Sequence, residues 1–196
     1  MELTKIVNDF ADALKTIDST NPVEGTFQPG IGPHTEDHSR EFILSYLRTQ
    51  EYSRQDYLAA ESIQYPGKRE MCDVVIPNKW AIELKLLRPF GDNGKEAEHW
   101  SNKLIHPYYG NKSAVGDALK LLASSFPEKK AIILFSYEHE VPIIDVENTI
   151  KAFELILTNI HSIKLKSRIV AERRNLVHPI FQVLKVIGWE LEEKAI

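Results

Sequence analysis

The sequence predicts a single α/β domain in which helices flank a mixed central β-sheet. Apolar residues recur at helical spacing over 2–17, 113–125 and 146–160. The segment 71–87 instead has the pattern of two strands joined by a tight turn. A nearly continuous apolar run, AIILFSY at 131–137, has the length of a buried strand. The order of helices, hairpin, helix, strand, helix and final strands is typical of a mixed sheet with helices against its faces.

The composition narrows the class of protein. A chain of 196 residues with 43% hydrophobic residues can build one sizeable core, so we predict one domain over 1–196. There is no run of about 18 apolar residues and no signal-peptide pattern, so we expect a cytoplasmic protein without a membrane partner. The lone cysteine, Cys72, excludes an internal disulfide framework and is predicted to be a core residue. The net charge of −4 argues neither for nor against a nucleic-acid partner, because binding needs only a local basic face.

The N-terminal part of the chain is predicted to be helical. Residues 1–20 form a first helix, which the Pro- and Gly-rich stretch 21–33 ends. A second helix follows Thr35, whose hydroxyl is a candidate N-cap. A third is predicted over 54–64, directly before the hairpin.

The C-terminal half is predicted to alternate between helix and strand. Residues 89–111 are rich in Pro and Gly, which indicates a loop with one helix over 94–104. Ser113 is a candidate N-cap for the helix that follows, although a helix start can also bind phosphate there together with Lys112. The segment 146–196 is expected to hold a helix and then strands near 164–172 and 180–191.

Three charged residues in the predicted hairpin call for an explanation. Glu83 and Lys85 are two apart on one strand, so their side chains point to the same face. If the turn lies near Pro77, residues whose numbers sum to about 156 face each other across the two strands. Asp73 is then paired with Glu83. Like charges in that position are destabilising, so a divalent cation is expected to offset them. The alternative is a solvated salt-bridge ladder on an edge hairpin.

The residue types in this hairpin suit a magnesium site. Two carboxylates and the backbone carbonyl after Glu83 are hard oxygen ligands of the kind Mg²⁺ prefers, with positions left for water and a phosphate oxygen. Lys85 would hold or deprotonate the attacking water and neutralise charge in the transition state.

Asp73, followed after nine residues by Glu83-Leu84-Lys85, resembles the bipartite signature of the PD-(D/E)xK nuclease superfamily, the fold of many type II restriction endonucleases. Glu41 matches the acid that these nucleases carry on their first core helix. The segment 110–125 and the strand after it are similar to their post-signature helix and strand. The resemblance covers about 35–140, and it departs from the pattern at Cys72, where proline is common.

The resemblance implies a restriction-endonuclease-like core and a set of functional residues. Asp73, Glu83 and Glu41 would be the ligands of Mg²⁺, with Mn²⁺ as an alternative cation, and Lys85 and Lys120 would act beside them. Glu41 has a simpler interpretation as an acid that is favourable near a helix N-terminus.

The expected function is therefore that of a Mg²⁺-dependent endodeoxyribonuclease acting on duplex DNA, with a homodimer left open as its assembly state. A basic run over 164–174 is a candidate phosphate-binding strip, or else a strand edge protected by charge. Two other classes remain as alternatives: a nuclease fold that binds nucleic acid or protein without cutting, and a scaffold in which the charged hairpin is structural.

Overall fold

The computed structural model describes residues 1–23, 25–106 and 112–193. It is an α/β structure built on an open, mixed seven-stranded sheet in the order β1-β2-β3-β4-β7-β5, with β6 also paired to β7. The strands are β1 (Glu61–Gln64), β2 (Met71–Ile76), β3 (Trp80–Leu87), β4 (Lys129–Glu138), β5 (Ile163–Leu165), β6 (Ile169–Arg173) and β7 (Val183–Glu193). Only β3 and β4 are parallel neighbours; the other described strand pairs are antiparallel.

Helices lie against both faces of this sheet. They are α1 (Leu3–Asp18), α2 (Glu36–Thr49), α3 (Arg54–Tyr57), α4 (Asn102–Ile105), α5 (Ala114–Leu122) and α6 (Glu147–Leu155), and α6 continues into a π-helical turn at Ile156–Ile160. The parallel pairing of β3 and β4 requires a crossover connection, and that connection contains α4 and α5.

Two apolar cores, one on each face of the sheet, follow from the alternation of strand side chains. One core joins α1 and α2 to residues such as Ile82 and Phe135, whereas the other joins α5 and α6 to residues such as Ala81 and Leu134. The central strand β4 is buried on both faces, which explains its nearly continuous apolar sequence. Cys72 is fully buried in the second core, as predicted.

Local sequence signals set several of the helix starts. Thr35 precedes α2, and its side-chain oxygen accepts a hydrogen bond from the N–H of His38 at 3.3 Å. Ser113 precedes α5 and accepts one from the N–H of Gly116 at 3.2 Å. Each cap satisfies one of the N–H groups that a helix start leaves without an intrahelical partner, so both predicted caps are confirmed.

The predicted helix over 54–64 is wrong in its second half. The helix α3 ends at Tyr57, and Glu61–Gln64 form β1, which extends the hairpin by pairing with β2. Pairing with the next strand along the chain overrides local helical spacing here. Similarly, the helix predicted over 94–104 is reduced to the single turn of α4, and the strand near 164–172 is divided into β5 and β6.

The close packing of α1 on the sheet depends on a glycine in β7. A Cβ built at Gly188 would lie 2.6 Å from Cγ2 of Val7, well inside normal contact distance. The absence of a side chain therefore lets α1 approach the strand directly. Across the described ranges, no helix is both long enough and apolar enough to cross a membrane.

Candidate active site

The hairpin of β2 and β3 places the predicted acids side by side. Val74 is opposite Ile82, Val75 opposite Ala81 and Ile76 opposite Trp80, so the numbers of paired residues sum to 156 as predicted. Continuing that register by one residue brings Asp73 beside Glu83.

Beyond this point β2 no longer pairs with β3, and carboxylates replace it as partners of the β3 backbone. The N–H of Leu84 donates to Oδ2 of Asp73 at 2.7 Å. The N–H of Leu86 donates to Oε2 of Glu36 at 2.8 Å. Because unpaired strand N–H groups must find acceptors, the end of the hairpin holds two acids in fixed positions. These acids therefore also complete the hydrogen bonding of the sheet edge.

A network of alternating charges extends from these acids onto α5. Nζ of Lys85 lies 2.7 Å from Oδ2 of Asp117 and 3.7 Å from Oε1 of Glu36. Nζ of Lys120 lies 3.0 Å from Oδ1 of Asp117 and 3.1 Å from Oε1 of Glu83. We call this group the acid–lysine cluster, and its members are Glu36, Asp73, Glu83, Lys85, Asp117 and Lys120.

Glu83 is the most deeply buried carboxyl group of the cluster, at 3% exposure. Its Oε1 accepts a hydrogen bond from the hydroxyl of Tyr65, whose ring is also buried. Burial raises the pKa of Glu83 to about 9, and the neighbouring carboxylate of Asp73 adds to the shift. At neutral pH the metal-free protein therefore keeps a proton on Glu83, hydrogen-bonded to Asp73.

The two lysines remain charged despite their burial. Burial alone would lower the pKa of Lys85, but the carboxylates of Glu36 and Asp117 more than reverse this, so that its pKa lies above the ordinary value. The pKa of Lys120 follows the same pattern, with Glu83 and Asp117 as the compensating acids. Lys85 is therefore an ammonium donor in the metal-free protein, and its expected role of holding or deprotonating the attacking water stays a prediction.

The acid of α2 that contacts the cluster is Glu36. Glu41, the residue matched by resemblance, has a side chain that is 66% exposed, and its Oε1 lies 4.0 Å from Nη2 of Arg40. Glu41 comes five positions after Glu36, which places the two about 140° apart around the helix axis. Arg40 is one turn after Glu36 and reaches towards Asp73, with Nη1 at 3.9 Å from Oδ1.

Sequence reasoning missed four residues of this region: Glu36, Arg40, Tyr65 and Asp117. Three of them had a readable signal, because Glu36 is four residues before Arg40 and Asp117 is three before Lys120, spacings that share a helix face. Tyr65 had none, since its contact with Glu83 depends on how the β1–β2 connection folds over the sheet.

The predicted basic strip over 164–174 does not present unpaired charge. Its cations have carboxylate partners within 2.6 to 2.9 Å: Lys164 with Glu192, Lys166 with Glu190, Arg168 with Glu147 and Glu154, Arg173 with Asp12, and Arg174 with Glu140 and Glu172. These pairs favour the interpretation as a charged strand edge. Exposed lysines closer to the cluster, Lys103 and Lys112, are the better candidates for phosphate contacts.

A cleft of about 580 Å³ opens beside the acid–lysine cluster. Glu36 and Lys85 form part of its wall, so the cleft and the cluster are continuous. Aromatic side chains, among them Phe90 and Trp100, and the lysines Lys103 and Lys112 line the rest. Aromatic faces and cations together are the groups that contact bases and phosphates in nucleic-acid complexes.

The donor set of the cluster fits a magnesium ion that receives few ligands from protein. Among the described residues, no three acidic, histidine or cysteine side chains converge as a metal-binding group. Asp73 and Glu83 nevertheless form a close pair of carboxyls, in a cluster where four acids face two lysines. Mg²⁺ is commonly held by one or two carboxylates and completed by water and substrate phosphate.

Comparison with known proteins does not assign a family. No protein-family model, no curated protein sequence and no solved structure matches this chain.

Proposed function

We propose that this protein is a Mg²⁺-dependent nuclease that hydrolyses phosphodiester bonds in DNA, on a core of the restriction-endonuclease type. The observation that carries the proposal is the pairing of Asp73 with Glu83 where β2 and β3 separate, with Lys85 and Lys120 beside them. The resemblance of the sequence to the PD-(D/E)xK signature and the closeness of the charged side chains in the hairpin both support this proposal.

Asp73 and Glu83 would hold the cation, with Mn²⁺ as an alternative to Mg²⁺. When bound, such a cation supplies positive charge to a phosphate oxygen and lowers the pKa of a coordinated water. We assign the α2 acid of this site to Glu36 instead of Glu41, because Glu36 contacts Lys85 and the exposed Glu41 does not. Glu36 would hold the Lys85 ammonium, and we do not place it among the ligands of the cation.

The lysines would act on the charge that develops during hydrolysis. Asp117 holds the Lys85 ammonium at 2.7 Å, and Glu36 lies on its other side, so the position of this positive charge is fixed before substrate arrives. A preorganised cation of this kind stabilises the pentavalent phosphate more than the ground state, since charge increases there. Tyr65 would support the site indirectly by fixing the carboxyl of Glu83 through its hydroxyl.

The cleft beside the cluster supports a nucleic-acid substrate. Lys103 and Lys112 are exposed at its wall and would contact backbone phosphates. We favour duplex DNA on the basis of the resemblance.

The test is a cleavage assay in Mg²⁺ on duplex DNA, single-stranded DNA and RNA, with Asp73→Asn and Glu83→Gln as variants. We expect the wild type to cleave and both variants to lose at least about a hundredfold in rate, since each removes a ligand charge. Circular dichroism must show that the variants are folded. Full activity in either folded variant would disprove the metal-site assignment.

The internal charge compensation favours a second candidate function, a nucleic-acid-binding module that does not cut. In the metal-free protein, Lys120 and Tyr65 already engage Glu83, so the cluster is also stable as a structural network. Ca²⁺ distinguishes the two functions, because a nuclease of this class should bind DNA in Ca²⁺ and cleave it only after exchange into Mg²⁺. Binding in both cations without any cleavage would support the module.

A further inference from the structure

Lys120 occupies an unusual position for a lysine beside a candidate metal site. Its Nζ lies 3.1 Å from Oε1 of Glu83 and 3.0 Å from Oδ1 of Asp117. The same ammonium is 5.0 Å from the centroid of the Tyr65 ring, a cation–π distance. Lys120 thus places a positive charge directly on the carboxyl group that we assign to the cation.

Two donors converge on one oxygen of Glu83. The hydroxyl of Tyr65 and the ammonium of Lys120 both contact Oε1. A carboxylate oxygen accepts about two hydrogen bonds, so this oxygen has little remaining capacity for a metal ion. A divalent cation bound to Glu83 would also lie within a few ångströms of the ammonium and repel it.

We infer that Lys120 is an internal cation that competes with Mg²⁺ for Glu83, and that metal binding moves its ammonium from Glu83 towards the substrate phosphate while Asp117 retains it. This inference rests on the proposed function and deepens it, because it describes how the same site changes between its metal-free and metal-bound forms. The lysine would become available for phosphate only when the cation is in place.

The contrast with Lys85 shows why Lys120 is the lysine that can move. The Lys85 side chain is 9% exposed and lies between two acids, Asp117 and Glu36, neither of which we place among the metal ligands. The Lys120 side chain is 20% exposed, and one of its two acids is the candidate ligand Glu83. Loss of the contact with Glu83 leaves Lys120 tethered by Asp117 and able to turn towards solvent.

The test measures Mg²⁺ affinity without substrate, by isothermal titration of the full-length protein stripped with chelator. Titrations at several pH values give the Mg²⁺ affinity of ionised Glu83, separately from the proton that the cation must displace. Lys120→Met removes the competing charge, so we expect this affinity to increase about tenfold, which corresponds to about 1.4 kcal/mol. The same variant should cleave DNA more slowly than the wild type, because the phosphate loses a partner. Opposite changes in affinity and rate are not expected of a lysine with only a structural role.

Three controls make the titration decisive. Lys151→Met removes an exposed lysine of α6 and should leave both affinity and rate unchanged. Lys120→Arg keeps the charge and should retain the wild-type affinity. Asp73→Asn should abolish Mg²⁺ binding, which verifies that the titration reports on the proposed site.

A second measurement on the wild type is independent of whether Lys120→Met folds. In protein labelled at the lysine side chains, the ¹⁵Nζ and ¹³Cε resonances of Lys120 should shift on addition of Mg²⁺, whereas those of Lys85 should change little. Lys120→Arg, which preserves the charge, assigns the resonance.

The outcomes separate this inference from the proposed function. If Asp73→Asn removes Mg²⁺ binding but Lys120→Met leaves the affinity unchanged or weaker, the competition is disproved and the metal site stands. If the wild type shows no Mg²⁺ binding that depends on Asp73, even with DNA present, the proposed function itself fails. A Lys120 resonance that does not respond to Mg²⁺ would also overturn the inference.

Discussion

Replacement of Glu83 by glutamine should change how the stability of the metal-free protein depends on pH. In the folded protein, burial and the carboxylate of Asp73 raise the pKa of Glu83 from 4.5 to about 9. The unfolded chain loses this proton near the ordinary value. Between the two values the folded state binds one more proton than the unfolded state, so the free energy of unfolding falls as pH rises.

The size of this effect follows from the pKa difference. Each pH unit inside the window contributes about 1.4 kcal/mol, so wild-type protein should lose about 4 kcal/mol from this group between pH 5 and pH 8. The glutamine of the Glu83→Gln variant would be a neutral mimic of the protonated acid. Its oxygen can accept from the Tyr65 hydroxyl, and its amide can donate to Asp73, so the variant should fold without the pH penalty.

The assay is urea unfolding at several pH values between 5 and 8 in the presence of chelator. Subtraction of the Glu83→Gln profile from the wild-type profile cancels the contributions of other titrating groups. The slope difference must appear in the midpoint at constant m-value. Parallel profiles for wild type and Glu83→Gln would refute the statement that the folded protein holds a proton on Glu83.

Three further predictions concern the cluster and the fold. Asp117→Asn should lower the free energy of unfolding by about 3 kcal/mol, because it removes the closest carboxylate of both the buried Lys85 and the partly buried Lys120; a loss below about 0.5 kcal/mol in chemical denaturation would contradict the bridging role. Glu36→Gln should reduce Mg²⁺-dependent cleavage at least about tenfold, whereas Glu41→Gln should leave it unchanged, and the reverse order in a rate assay would restore the assignment made from sequence. Gly188→Ala should destabilise the protein by about 1 to 3 kcal/mol by pushing Val7 and α1 away from β7, and an unchanged melting temperature would show that this contact is not tight.

Residues that act through near neighbours in the chain were predicted well from the sequence. The turn at Pro77 to Lys79 fixes the register of the hairpin, because a short connection leaves the two strands only one way to pair, and Asp73 therefore comes beside Glu83. Thr35 and Ser113 cap their helices through contacts three residues away. In the hairpin turn and in both helix caps, the interacting residues are close together in the chain. Tertiary packing therefore has little effect on whether these contacts form.

The rest of the site depended on where distant elements meet. Glu36 is the first residue of α2, and α2 begins beside the part of β3 that β2 does not pair with. The N–H of Leu86 needs an acceptor there, and Glu36 supplies it next to Lys85. The local pattern of α2 places Glu36 on one helix face with Arg40, but it does not show that this face meets β3. The strand at Glu61–Gln64 likewise exists through its pairing with β2, against the helical spacing of its own residues.

Local sequence alone specifies the hairpin, its acids and the lysine that follows them, because strand alternation and a tight turn are properties of neighbouring residues. The surroundings of those acids come from tertiary packing. The contacts that Tyr65 and Lys120 make with Glu83, and the joining of the two lysines through Asp117, follow from packing of the β1–β2 connection and α5 onto one face of the sheet. Charge balance in a buried cluster depends on every group within a few ångströms, and the sequence does not specify those distances.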